Sequence, residues 1–138
     1  MYMEVSAMNE KILKILNDMD PYMPEGSLIE FLYEHRSLFQ FKLILSQADL
    51  DKDIEELDLS VRSNNCLRRA GYMTVGALAK AIEAKPEITS RRQLLRLRNL
   101  GRNSAQEIML SLFCYQLRCM PERERKQYLK DMVQDNAA

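Results

Sequence analysis

The side chains with most chemistry to offer lie in residues 94–108, where Arg96, Arg98 and Arg102 surround Asn99-Leu100-Gly101. An apolar, Arg-rich turn of helix precedes the glycine. An amphipathic segment follows from Asn103 and Ser104, with Ile108, Leu112 and Tyr115 spaced for one buried face. Helix, glycine turn, helix is the pattern this predicts. Gly101 allows a positive φ or a close approach of backbone to a ligand. The helix after it offers N–H groups without intrahelical partners and the positive end of its dipole, which suits a phosphate. Guanidinium groups add planar, multi-bond phosphate contacts. The chemistry implied is capture of a nucleic-acid backbone by geometry and charge.

Other chemistries lack their residues. Paired carboxylates with a pocket signal, a nucleophile elbow and a phosphate-binding loop are missing from the sequence, so neither an enzyme nor a cofactor is expected. Cys66, Cys114 and Cys119 make no CxxC pair, and with His35 they show no zinc-ligand spacing. No run approaches the roughly 18 apolar residues of a membrane span, and residues 1–10 lack the basic start and apolar block of a secretory signal. A cytoplasmic protein with reduced thiols is expected.

The net charge of zero hides a division. Residues 1–60 carry 5 Lys/Arg and 13 Asp/Glu, a net −8, whereas residues 61–138 carry 15 and 7, a net +8. Within residues 61–118 only Glu83, Glu87 and Glu107 are acidic, against eleven Lys/Arg. Such asymmetry marks a nucleic-acid-binding part joined to an acidic part.

The elements that position these groups read as helices. Ile12, Ile15, Leu16 and Met19 stripe a helix over residues 8–19, which Pro21, Pro24 and Gly26 end. Ser27 and Glu30 form a capping box for a second helix, whose apolar residues run through Phe41, Leu43, Ile44 and Leu45. The polar, acidic residues 47–56 place a boundary near residue 50. Ser60 caps a helix with Val61, Cys66 and Leu67 turned to a core, leaving Arg62, Asn65, Arg68 and Arg69 at the surface, and Gly71 ends it. Thr74 caps the next. Residues 83–90, with Pro86, read as a loop; Thr89 or Ser90 caps residues 91–97, and the long helix spans residues 103–118. Pro121 opens a terminal helix over residues 122–133. No strand is expected.

The prediction is an all-α protein: a compact bundle of short helices with helix-hairpin-helix character, preceded by a small helical hairpin module. Its parts are an acidic module at 1–50, a DNA-binding domain at 51–120 and a charged helix or tail at 121–138.

Residues 54–117 resemble the C-terminal domain of the bacterial RNA polymerase α subunit. The resemblance is carried by Leu59-Ser-Val-Arg-Ser-Asn-Asn-Cys-Leu67, by Thr74-Val-Gly-Ala-Leu78, and by Asn99-Leu-Gly-Arg-Asn-Ser-Ala-Gln-Glu-Ile108. It implies a compact helical bundle that binds the minor groove of A·T-rich DNA upstream of promoters and touches σ factor and activators. Arg62 then becomes the side chain inserted towards the groove, with Asn65 and Cys66 beside it. Arg96 takes the place of a basic phosphate contact, and Gly101, Ser104 and Glu107 complete the surface, Glu107 by orienting an Arg or Asn. Arg68, Arg98, Arg102 and Asn103 fill out the expected DNA-binding set. A narrow A·T-rich groove favours this independently, because its enhanced negative potential attracts an arginine.

The sequence departs from that family in three ways. Asn103 stands where a lysine is usual, Arg98 where a proline is usual, and residues 83–90 are longer. The expected partners are double-stranded DNA together with RNA polymerase, σ factor or an activator, with a homodimer through the N-terminal helices, in a bacterial, nucleoid-associated setting. Two alternatives are an adaptor mimicking the α domain without binding DNA, and a generic helix-hairpin-helix duplex binder.

Overall fold

Side-chain caps set the boundaries of the central helices. The structure, a computed structural model, describes residues 41–85, 88–89, 94–97 and 100–137. Helix α1 (Gln47–Leu50) starts at Ser46, whose Oγ accepts from the Asp49 N–H at 3.2 Å. Helix α2 (Val61–Arg69) starts at Ser60 and α3 (Val75–Ala81) at Thr74, each hydroxyl accepting from a first-turn N–H. The end of α2 is a Schellman closure. The Gly71 N–H donates to Arg68 O and the Tyr72 N–H to Leu67 O, both at 3.0 Å, with Gly71 at φ +92°. Four further helical elements follow: a 3-10 turn at Ile54–Leu57, a second at Leu94–Arg96, and helices α4 (Arg102–Cys119) and α5 (Glu122–Ala137).

Residues Gln40–Cys119 form one compact unit, and α5 lies outside it. At the unit's centre is α4, whose apolar residues spread round most of the helix and are stable there only when covered. Its residues 104–117 are buried apart from half-buried Gln106. Against it pack α2 and both 3-10 turns, while α3 packs on α1 and on Ile54–Leu57. Ile54, Leu67, Leu78, Ile82, Leu94, Ile108, Leu112 and Phe113 are the sealed core. Each such side chain stabilises the fold by roughly 1.5–3 kcal/mol before chain entropy is set against it. Outside the unit, α5 begins after Pro121, whose carbonyl accepts from the Glu124 N–H at 2.9 Å, and Glu122 and Glu124 in its first turn suit the dipole.

The protein is all-α in class, with local departures from the sequence reading. Residues 41–46 are extended rather than helical. Phe41 is buried, Leu43 and Leu45 are half-buried, and Lys42, Ile44 and Ser46 are exposed, a period of two that a short apolar run does not separate from helical spacing. The Gln116 amide holds this strap like a sheet neighbour: its Nε2 donates to Lys42 O at 2.7 Å and its Oε1 accepts from the Ile44 N–H at 2.8 Å. Phe41 meets Phe113 edge-on, ring centres 5.3 Å apart. The unit therefore begins before the acidic stretch and includes α1.

Glu83–Lys85 (β1) and Ile88–Thr89 (β2) pair antiparallel, so Thr89 is a strand residue rather than a helix cap. Of the helix the sequence predicts at 91–97, the described residues 94–97 form the single 3-10 turn Leu94–Arg96. In α4 the buried surface is not one stripe but almost the whole circumference, with Ser104, Glu107, Ser111 and Gln116 buried among the apolar residues. Val61 is a correction too, since it is 76% exposed instead of packed in the core. The two N-terminal helices, with the Ser27 capping box, lie outside the described residues.

Candidate nucleic-acid interface

Helix α2 divides cleanly into two faces. Ser63, Cys66 and Leu67 are buried, while Val61, Arg62, Asn65 and Arg69 are exposed. At about 100° per residue these four span roughly 100° of the helix surface, opposite the buried set. Two arginines, an amide and an apolar side chain thus share one outward stripe.

The start of α2 is fixed from α4. Glu107, only 2% exposed, takes the Ser60 N–H on Oε2 at 2.8 Å, and takes the hydroxyls of Ser60 at 3.0 Å and Ser63 at 2.5 Å on Oε1. A buried carboxylate is tolerated when donors surround it and a helix N-terminus faces it. Glu107 therefore supports the surface from within. It orients two serines, not the Arg or Asn expected of it. Ser63, fully buried, belongs to this group, and nothing in the sequence pattern singles it out.

The clasp ties the start of α2 to the second turn of α4. Arg62 follows Ser60 by two positions in α2. Arg102 opens α4 about 7.5 Å along its axis from Glu107, given the 1.5 Å rise per residue. Arg102 and Gly101 are exposed, as is Arg96 at the end of the Leu94–Arg96 turn, which Leu94 anchors in the core. Cys66 and Ser104, at 5% and 6% exposure, face inward and can act at the surface only through their neighbours. Arg98 and the side chain of Asn103 lie outside what the structure describes.

Arg68 is drawn elsewhere. Its guanidinium pairs with the Asp53 carboxylate, with Nη1 to Oδ2 at 3.4 Å, and its Nε donates to Asn64 Oδ1 at 3.2 Å. That hydrogen bond from Arg68, followed by one from the Glu55 N–H, holds the Asp53 carboxyl below its usual range. Asp53 in turn caps the Ile54–Leu57 turn. Arg68 is thus spent on fastening α2 to that turn, and its charge is locally neutralised. Arg69, which the sequence places at the surface but not among the expected DNA contacts, takes its place in the exposed stripe; the signal is its spacing four residues after Asn65.

Of the two uses the sequence allows for Gly101, the positive φ is not the one taken. Its φ is not in the left-handed region, and a Cβ built on it would meet nothing within 4 Å. The fold itself makes no demand for glycine there. Among the described residues the only glycine with positive φ is Gly71.

Among the described residues no group of three or more His, Cys, Asp or Glu is placed to hold a metal ion. Burial pushes the Cys114 thiol up to about 12. No helix among the described residues is long and apolar enough to cross a membrane.

No solved structure matches the protein. Residues 44–112, from the strap through most of α4, match the family model for the C-terminal domain of the bacterial RNA polymerase alpha subunit. The match covers α2, the Leu94–Arg96 turn and the glycine before α4, the elements on which the exposed basic groups are mounted, and the protein belongs to this family of RNA polymerase alpha C-terminal domains.

Proposed function

We propose that the unit Gln40–Cys119 binds A·T-rich duplex DNA in the minor groove and brings the protein to the transcription machinery. Arg62 enters the groove, with Asn65 and Arg69 on the same face. Arg96, Arg102 and the backbone at Gly101 contact the flanking phosphates, and Arg98 and Asn103 extend that contact. The observation that carries the reading is the Glu107 clasp, which fixes the start of α2, and with it the exposed stripe, on the second turn of α4. A narrow A·T groove concentrates negative potential where a single arginine can meet it, so composition is read without base-edge contacts in the major groove. The role is one of binding, with no chemistry of its own, in the cytoplasm at the nucleoid. RNA polymerase, σ factor or an activator is the protein partner.

Fluorescence anisotropy with A·T-rich and G·C-rich duplexes across a salt series, beside Arg62→Ala, tests this. About four phosphate contacts give a log–log slope near −3.6. Tighter A·T binding that Arg62→Ala abolishes supports the reading, and no binding at low salt refutes it.

A second reading has its own observation. Asp51, Asp53, Glu55, Glu56 and Asp58 are exposed along the approach to α2, and Asp53 already neutralises Arg68. A surface of both signs suits an adaptor that docks on protein and leaves DNA alone. Co-purification with polymerase without duplex retardation at moderate salt distinguishes it.

A further inference from the structure

The exposed stripe of α2 contains one residue that charge does not explain. Val61, at 76%, is the most exposed of the large hydrophobic side chains among the described residues. It shares its face with Asn65 and Arg69, one and two turns on, and sits beside Arg62. Folding gains little from a valine there, since its methyl groups stay in water and a β-branched residue is a mediocre helix former. An acidic side chain would suit the first turn of a helix better, yet α2 has none there.

We propose that Val61 supplies the apolar half of the DNA contact, packing on the deoxyribose wall of the minor groove beside Arg62. The inference rests on the minor-groove reading above. Groove walls are sugar edges rich in C–H groups, which offer an apolar surface between the charged phosphates. A valine in a helix keeps essentially one χ1 rotamer, so little side-chain entropy is lost when it is covered. Phosphate contacts weaken as salt rises because counterions are released, whereas apolar contact with a sugar releases none. Val61 therefore carries affinity that salt does not remove, while Arg62, together with the phosphate contacts of Arg96 and Arg102, carries the part that it does.

The test is anisotropy of the full-length protein on an A·T-rich duplex across a salt series, for the unchanged protein, Val61→Ala, Val61→Thr and Arg62→Ala, with thermal melting of each. Both Val61 variants are expected to bind about 3- to 10-fold more weakly at every salt concentration. Their slopes and melting temperatures stay unchanged, while Arg62→Ala loses about one unit of slope and the A·T preference. Val61 variants that bind like the unchanged protein while Arg62→Ala loses its preference overturn the inference and leave the minor-groove reading standing. A slope or melting temperature lowered by Val61→Ala overturns it as well, because the effect would then come through the helix start. Absence of binding by the unchanged protein at low salt overturns both.

Discussion

The carboxylate of Glu107 accepts the backbone N–H of Ser60 at 2.8 Å, across 47 residues of sequence. The same group takes the hydroxyls of Ser60 and Ser63. The positive end of the α2 dipole is thus occupied by the protein's own anion, and the orientation of α2 on α4 is set by hydrogen bonds with defined directions. Apolar packing through Leu67 and Ile108 supplies cohesion but little angular precision, so the clasp decides where Arg62 stands.

Removal of the clasp tests that division. Glu107→Ala leaves the fully buried Ser63 hydroxyl without its acceptor and is expected to destabilise the unit by about 2–4 kcal/mol, read from the midpoint of urea unfolding. Glu107→Gln keeps the shape but turns an NH2 towards donors, and about 1–3 kcal/mol is expected. Under conditions where the Gln variant remains folded, its A·T preference falls. Retention of full preference would show that Arg62 is oriented by packing alone.

Two glycines make opposite predictions. At Gly71, with φ +92°, alanine is strained however much space is available, and Gly71→Ala is expected to cost roughly 1–2 kcal/mol in urea unfolding. At Gly101 a Cβ meets nothing, so Gly101→Ala is expected to leave stability within about 0.5 kcal/mol or to raise it slightly. Its effect falls instead on DNA affinity, since a methyl group there would hold a phosphate off the backbone. Equal affinity for Gly101→Ala and the unchanged protein would remove Gly101 from the DNA contact.

The cysteines are separated by burial. Cys66 and Cys114 are sealed in the unit, and burial pushes Cys114 up to about 12; Cys119 is exposed, with a thiol raised by partial desolvation. Alkylation near neutral pH should add one label per molecule, mapped to Cys119 by mass spectrometry, and the other two sites should react only in denaturant. Labelling of Cys66 without denaturant would mean that α2 opens from the core on that timescale.

Capping chemistry makes much of this legible in the sequence. Ser60 and Thr74 announce helices, Gly71 announces a helix end, and the spacing of Arg62, Asn65 and Arg69 announces a face. What escapes is long-range. Nothing local in Gln116 indicates that its amide will hold Lys42 and Ile44, so residues 41–46 read as helix when a residue across the unit makes them a strap. Val61 reads as a core residue because it is apolar, although its position relative to Cys66 and Leu67 places it on the opposite face. Arg68 carries the same charge as Arg62 in the sequence, and only the approach of Asp53 separates their roles.

That separation gives the last prediction. Asp53 has its carboxyl held below its ordinary 3.8 by the Arg68 hydrogen bond. A carboxylate whose folded value is depressed contributes stability that is present above its unfolded value and is lost as pH falls through the folded one. Arg68→Ala should therefore cost a little stability near neutral pH, kept small because the pair is exposed and screened, and the difference from the unchanged protein should vanish as pH falls and Asp53 takes up its proton. Asp53→Asn adds a test at the DNA surface, because it releases the Arg68 charge while keeping the side chain's shape. If the duplex passes within reach of Arg68, the salt slope of binding should steepen by about one unit. An unchanged slope would confine the duplex to the face of Arg62, Asn65 and Arg69, leaving Arg68 a wholly structural residue.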